Sequence, residues 1–234
     1  MAMSDPVRVM LAEMRASAMQ RSKRPTGSSD VVIPFITISR MSGAGAHTLA
    51  SNLADRLSRG QPDTGRWHSF DRELVDLIAA DHQISQSLID TLEDTGRSWL
   101  DSVLSGLKFS GNTPSELELY RKVAQSVLAL AKAGKTILVG RGGVFITQDV
   151  PGGIHLLVTA PLEVRAERTA EMRGISLNEA TRLIRDIDQN RADFYQRHWP
   201  GRPYGPESFM LTLNSAMLSE QQMVDTIVPL VPSG

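Results

Sequence analysis

Apolar residues along this chain follow two rhythms. Short, nearly continuous apolar runs occur at VVIPFITIS (31–39), WHSF (67–70), ILVG (137–140), IHLLVTA (154–160) and FMLTL (209–213). Each is bounded by glycine, proline or polar residues, which predicts strands buried on both faces of a sheet. Pro34 fits the start of a strand better than its middle. Between these runs the apolar positions recur at helical spacing, as in TLASNLADRLSR, where Leu49, Leu53 and Leu57 form one stripe. Helical stretches are predicted from 72 to about 133, with a break near KFSGNTPSE (108–116), and at 161–173, 176–196 and 219–231. Strands alternating with helices predict a three-layer α/β/α domain around a parallel sheet.

The domain starts at residue 31. Before it, Val7, Met10, Leu11 and Met14 share one face of a short amphipathic helix over 6–19, and RSKRPTGSSD (21–30) reads as a linker. Residues 1–30 are therefore an appendage to a domain at 31–234. The helix packs either on the core or on a second copy of the chain, so a homodimer is one reading.

Composition narrows the function classes. With 234 residues and 41% hydrophobic content the chain can bury a sizeable core. A formal net charge of −1 argues against a protein that coats a nucleic-acid polymer, which needs a clear basic excess. Only five of the 25 basic residues are lysines, so arginine, which suits bidentate phosphate contacts, supplies most of the positive charge. No cysteine is present, which removes disulfides, thiolate metal sites and cysteine nucleophiles. The histidines show no metal-ligand spacing, so no protein-ligated zinc is expected. No apolar run approaches the ~20 residues of a membrane span, and residues 7–19 mix arginine and glutamate into the apolar pattern, unlike a signal peptide. Cytoplasmic residence, with no membrane partner, is the expectation.

The candidate chemistry begins at Ser39-Arg40-Met41-Ser42-Gly43-Ala44-Gly45-Ala46-His47-Thr48, between a predicted strand and a predicted helix. Glycines there let backbone amides approach an anion, and the helix start adds unpaired N–H groups. The phosphate-loop pattern G-x-x-x-x-G-K-[ST] is not met: Arg40 stands at the first glycine, Ala46 at the lysine and His47 at the next position. His47 is placed to donate to a phosphate or to cap the helix, and the Thr48 hydroxyl to touch a metal. Arg141 follows a buried strand in a Gly-Arg-Gly-Gly turn, at the strand end where ligands bind in such sheets. Asp71, after the second strand, either holds water around Mg²⁺ or orients an acceptor, or else caps the helix beginning near Arg72.

Five segments in order resemble the cytidylate kinase-like family of P-loop nucleoside monophosphate kinases. They are the loop with Ser39, Arg40, Gly43 and Gly45; Phe70-Asp71-Arg72-Glu73; Ile137 to Gly143; the stretch 159–201; and FMLTLNSAMLSEQQMVDTIV at 209–228. The resemblance covers about 31–231. It departs at Ala46 and His47, where relatives have glycine and arginine, and at Gly142, where fully matched kinases often have aspartate.

The resemblance implies a P-loop kinase fold with a helical acceptor-binding insertion (72–120) and a lid-like region (165–205). It implies ATP and Mg²⁺ as donor and metal, and a nucleoside monophosphate or related small phosphorylatable acceptor. Ser39 to Thr48 would form the donor site. Asp71, Arg72 and Arg141 would bind acceptor, with Thr48 and Asp71 toward the metal. Arg40, Arg168, Arg185 and Arg191 would neutralise the moving phosphoryl group, with Asp188 orienting Arg191 or Arg185. Arg165, in contrast, reads as part of a solvated helix face. Phe194, Tyr195, Trp199 and Tyr204 read as packing of the lid on the core rather than as a base platform. A catalytically degenerate nucleotide-binding sensor or scaffold is the alternative, favoured by Ala46, His47 and Gly142.

Overall fold

Strand β1 (Phe35–Arg40) is buried along nearly its whole length and lies at the centre of a five-stranded, all-parallel sheet. The sheet belongs to a computed structural model that describes residues 32–61, 65–80 and 114–232. The amphipathic helix expected at 6–19, the linker at 21–30 and residues 81–113 of the expected acceptor insertion lie outside the described residues. Pro34 sits immediately before β1, where its missing N–H costs no ladder bond.

The chain continues through α1 (Ala46–Ser58), β2 (His68–Phe70), α2 (Arg72–Ala80), α3 (Pro114–Ala133), β3 (Thr136–Val139) and α4 (Gly143–Thr147). It ends with β4 (Gly153–Thr159), α5 (Leu162–Arg173), α6 (Leu177–His198), β5 (Leu211–Asn214) and α7 (Glu220–Ile227). Strand order is β2-β3-β1-β4-β5, with Ile36 opposite both Ile137 and Ile154. The final strand starts later than the apolar run FMLTL predicts. The Phe209 N–H is held by the Pro206 carbonyl in a 3₁₀ turn, so pairing with β4 begins beyond it.

Alternation along the strands builds two cores, one per face. Phe35 and Leu138 point to a core with α2, α3, α4 and the end of α6. Ile36, Ile38, Ile137 and Val139 point to the opposite core with α1 and α7. Many of these side chains are fully buried, and each Leu, Ile or Phe contributes about 1.5–3 kcal/mol by leaving water. The expected three-layer architecture is therefore the observed one. The helix after β1 and the helix after β3 cover opposite faces although their strands are adjacent. The chain thus parts at the carboxyl ends of β1 and β3, leaving the crevice where ligands bind in open α/β sheets.

Helices α5 and α6 form a separate hairpin with its own small core of Ala166, Ala180 and Ile184. Gly174 (φ 64°) ends α5, and Ser176 with Glu179 forms a reciprocal capping box that starts α6. This hairpin leans over the crevice.

Candidate active site

The loop after β1 turns on two glycines. Gly43 (φ 77°) and Gly45 (φ 83°) both take left-handed backbone. A Cβ on Gly43 would also stand 2.8 Å from the Arg165 carbonyl and from the Thr169 hydroxyl, so the close packing of loop on α5 requires glycine there. Gly45 caps α1 without any side-chain bond, whereas α6 and α7 both begin with serine capping boxes. The first bond at the start of α1 runs from the Leu49 N–H to the Gly45 carbonyl (3.1 Å), so the amides of Ala46, His47 and Thr48 open out of the helix end. Ala46 itself packs into the core beside Leu49 and Leu53, while His47 and Thr48 are exposed.

Four arginines surround the crevice mouth. Arg40 ends β1 and its guanidinium lies against Gly140, whose Cβ, were there one, would overlap Nη1. Arg141 follows β3 with φ 55°, between Gly140 (φ 84°) and Gly142 (φ 71°). A left-handed arginine costs about 1–2 kcal/mol, and such strain collects where a side chain must be aimed at a ligand. Its guanidinium pairs with Asp76 of α2, which also lies 4.0 Å from Nε of Arg72. Arg191 of α6 donates to the Arg40 carbonyl and to Asp188 Oδ1, both at 2.8 Å.

These cations sense one another. Burial, then Arg191, lowers the proton affinity of Arg40, and Arg72 adds to the effect. Burial, then Arg72 and Arg40, lowers that of Arg141 to about 10. Positive charge is concentrated beyond what Asp76 and Asp188 offset.

The remaining expected residues divide. Asp188 orients Arg191, as anticipated, but not Arg185, which is exposed on α6. Arg168 is also exposed. It donates through Nη1 and Nη2 to the hydroxyl and carbonyl of Ser215, at 2.9 and 2.8 Å, tying α5 to the turn after β5. Asp71 caps α2, its Oδ1 accepting from the Leu74 N–H at 2.9 Å. Ser39 is buried near Tyr204, whose proton affinity is raised by burial and by Tyr195.

The expectation for Arg165 is corrected. It is 5% exposed and bonded on three sides, not part of a solvated face. Asp76 was likewise not singled out in the sequence. Its i,i+4 spacing from Arg72 is the signal that points to it. The aromatic cluster is core packing: Tyr195 stacks on Tyr204 (3.9 Å between centroids), and Phe145 of α4 stacks on Trp199 (5.1 Å). Gly142 lies beneath Trp199, whose ring any Cβ there would overlap.

The cytidylate kinase-like family model matches residues 35–217, which span the loop, the arginine turn and the α5–α6 hairpin. The chain belongs to the cytidylate kinase-like family. It is 26% identical over 195 residues to a cytidylate kinase of Methanopyrus kandleri, covering 80% of this chain and 87% of that one. A uronate isomerase of Corynebacterium glutamicum is 24% identical over 146 residues, but the match covers only 28% of that protein and 59% of this chain. Among solved structures, an uncharacterized protein from Eubacterium ventriosum superposes with a TM-score of 0.63 at 16% identity, covering 85% of this chain and 97% of that one. That likeness shows the fold.

Within this family frame the departures acquire a structural address. Ala46 occupies the helix position where phosphate loops place lysine, and its methyl is directed into the core. Among the described residues no group of three or more His, Asp or Glu side chains is arranged to hold a metal. No helix among them is long and apolar enough to cross a membrane.

Proposed function

We propose that the protein transfers the terminal phosphoryl group of ATP to a nucleoside monophosphate or a related small phosphorylated acceptor. The observation that carries this reading is the convergence of an uncapped helix start (α1) and four arginines on one crevice. An uncapped helix end bearing three open amides suits a polyphosphate. An arginine held in left-handed backbone beside two further cations suits a dianionic acceptor. Membership of the cytidylate kinase-like family supports the same chemistry.

In this reading the donor's β- and γ-phosphates rest on the loop from Ser42 to Thr48. Arg141 and Arg72 draw the acceptor phosphate to the ends of β2 and β3. A phosphate monoester is largely dianionic at neutral pH, so the nucleophile needs no general base. What the protein supplies is alignment and neutralisation of charge on the moving group. Arg40 and Arg191, between donor loop and acceptor arginines, would supply that neutralisation. Arginines in this role are worth about 10³-fold or more in rate. Arg168, tied to Ser215, and the exposed Arg185 would join the site after the hairpin moves.

Mg²⁺, when bound with the donor, would offset phosphate charge. Such an ion keeps most of its waters and takes one or two protein oxygens. The exposed Thr48 hydroxyl on the first turn of α1, and the Asp71 oxygen not used in capping α2, fit that modest demand. Asp71 and Thr48 would serve the metal and Ser39 the shape of the loop.

A second reading is favoured by one observation: the lysine position is a buried alanine. A nucleotide-binding sensor or scaffold would keep the loop and the arginines without turnover. Calorimetric titration of ATP and of each nucleoside monophosphate, singly and together, tests both readings. Two non-competing sites are expected under either. Mutual exclusion of the two ligands would refute a transfer site, and failure of ATP to bind would remove both readings.

A further inference from the structure

Arg165 stands at the junction of three elements. Its Nε donates to the Ala160 carbonyl at the end of β4 (2.9 Å). Its Nη1 donates to the Ser42 carbonyl in the glycine loop (3.0 Å) and to Asp188 Oδ2 on α6 (2.6 Å). The other Asp188 oxygen accepts from the Ser42 N–H (2.8 Å) and from Arg191 Nη1 (2.8 Å). One ion pair therefore grips both the N–H and the C=O of Ser42. Arg191, held by Asp188, itself reaches the Arg40 carbonyl at the start of the loop.

This arrangement is more than a tie between helices. Arg165 is 5% exposed, and its own carbonyl and Cβ form the wall against which Gly43 packs, 2.8 and 3.2 Å from where a Cβ would be. Moving α5 or α6 must move Ser42, and reshaping the loop must move Asp188. A buried arginine and a half-buried, hydrogen-bonded carboxylate cannot be separated singly without leaving the buried charge uncompensated. Arginine is required for this, because a lysine has no fork to reach three acceptors in fixed directions.

We infer that Arg165 and Asp188 are positioning residues that couple the shape of the phosphate loop to the seat of the α5–α6 hairpin, so that donor binding and hairpin position form one equilibrium. The inference rests on the phosphotransfer reading for its ligand but not for its geometry. Donor phosphates arriving at the loop shift Ser42, and through it Asp188 and Arg191. A hairpin displaced from its seat leaves the loop without the contacts that hold Ser42.

The test uses the full chain with Arg165→Lys, Asp188→Asn and the double variant. Each is first checked for folding by circular dichroism and thermal melting. For ATP, measured by calorimetry, each single variant is expected to raise Kd at least tenfold. The double variant should be no more than about twofold worse than the poorer single one, because the two residues act as a unit. Acceptor affinity should change less than threefold. Losses that multiply independently, or that fall equally on acceptor and donor, would overturn the inference. So would an ATP Kd unchanged within twofold in both single variants.

A readout that needs no ligand accompanies it. Amide hydrogen exchange across 41–45 should accelerate about tenfold or more in Asp188→Asn and Arg165→Lys, and no further in the double variant, while core strand β1 stays protected. Unchanged exchange in that segment would also overturn the coupling. If wild-type protein binds no ATP, the phosphotransfer reading fails, and exchange alone still decides the coupling. Should Arg165→Lys not fold, Asp188→Asn and Asp188→Glu carry the same comparison.

Discussion

The guanidinium of Arg40 occupies the space that a side chain on Gly140 would fill. The last residue of β1 and the first residue beyond β3 are thereby locked at the mouth of the crevice. Gly140 is needed twice over, for its left-handed backbone (φ 84°) and for the room it leaves. Gly140→Ala is expected to destabilise the fold by about 1–3 kcal/mol, from backbone strain and a displaced arginine. It should also weaken nucleotide binding more than that loss of stability explains. Denaturant midpoints read beside ATP titrations check both parts. An alanine variant of wild-type stability would place the arginine elsewhere.

Arg40, Arg72, Arg141 and Arg191 repel one another in the unliganded protein, and burial first, then this repulsion, lowers the proton affinities of Arg40 and Arg141. A polyanion removes the repulsion, so inorganic pyrophosphate is expected to raise the melting temperature. At a hundredfold excess over its Kd the stabilisation is about 2.7 kcal/mol. The shift should shrink with added sodium chloride, as screening replaces the ligand's contribution. Arg141→Ala should melt no lower than wild type without ligand, and should lose most of the pyrophosphate response. Thermal melts of both proteins with and without pyrophosphate provide the measurement.

His155 on β4 bonds the Thr37 hydroxyl at 2.8 Å, and burial lowers its proton affinity below the ordinary histidine value. The folded protein thus holds fewer protons at this position than the unfolded chain. Its contribution to stability is complete above about pH 6.5 and declines as pH falls through and below that value. Denaturant unfolding between pH 7.5 and 5 should show a falling midpoint, with a smaller fall in His155→Gln. An identical pH dependence in that variant would assign the effect to other groups.

Much of the fold was legible because local and global signals agree. Pro34 ends up where a proline belongs, immediately before β1, and the break expected near 108–116 contains Pro114, the first residue of α3. The glycine loop was legible because left-handed backbone and open amides are local properties. What stayed hidden depends on partners distant in sequence. Arg165 and Arg168 lie three residues apart on one helix, yet Arg165 reads as part of a solvated face and Arg168, through the family resemblance, as a phosphate-neutralising residue. One is buried by Asp188, 23 residues on, and the other is carried to Ser215, 47 residues on. Only the packing of α5 against the loop and α6 separates them. Asp71 left two readings open, and the structure realises the capping one through Leu74 without consuming the second carboxylate oxygen.

Gly142 lies in the left-handed turn after β3, where the family resemblance would often place aspartate. The Trp199 ring lies over it, and its backbone is left-handed (φ 71°). Introducing aspartate by Gly142→Asp is therefore expected to lower stability by about 1–3 kcal/mol and to disturb the near-ultraviolet signal of Trp199. It should not improve use of any nucleoside monophosphate. Gain of acceptor affinity in that variant would show that the turn has room the present packing denies.

Phosphoryl transfer would have to proceed here with a buried alanine at the lysine position. The direct measurement is ADP release from Mg·ATP by purified protein across the ribo- and deoxyribonucleoside monophosphates and a few small phosphorylated metabolites. The prediction is acceptor-dependent turnover with at least one of them, reduced a hundredfold or more by Arg141→Ala or Arg40→Ala. ATP binding without acceptor-dependent ADP release across the whole panel would contradict it.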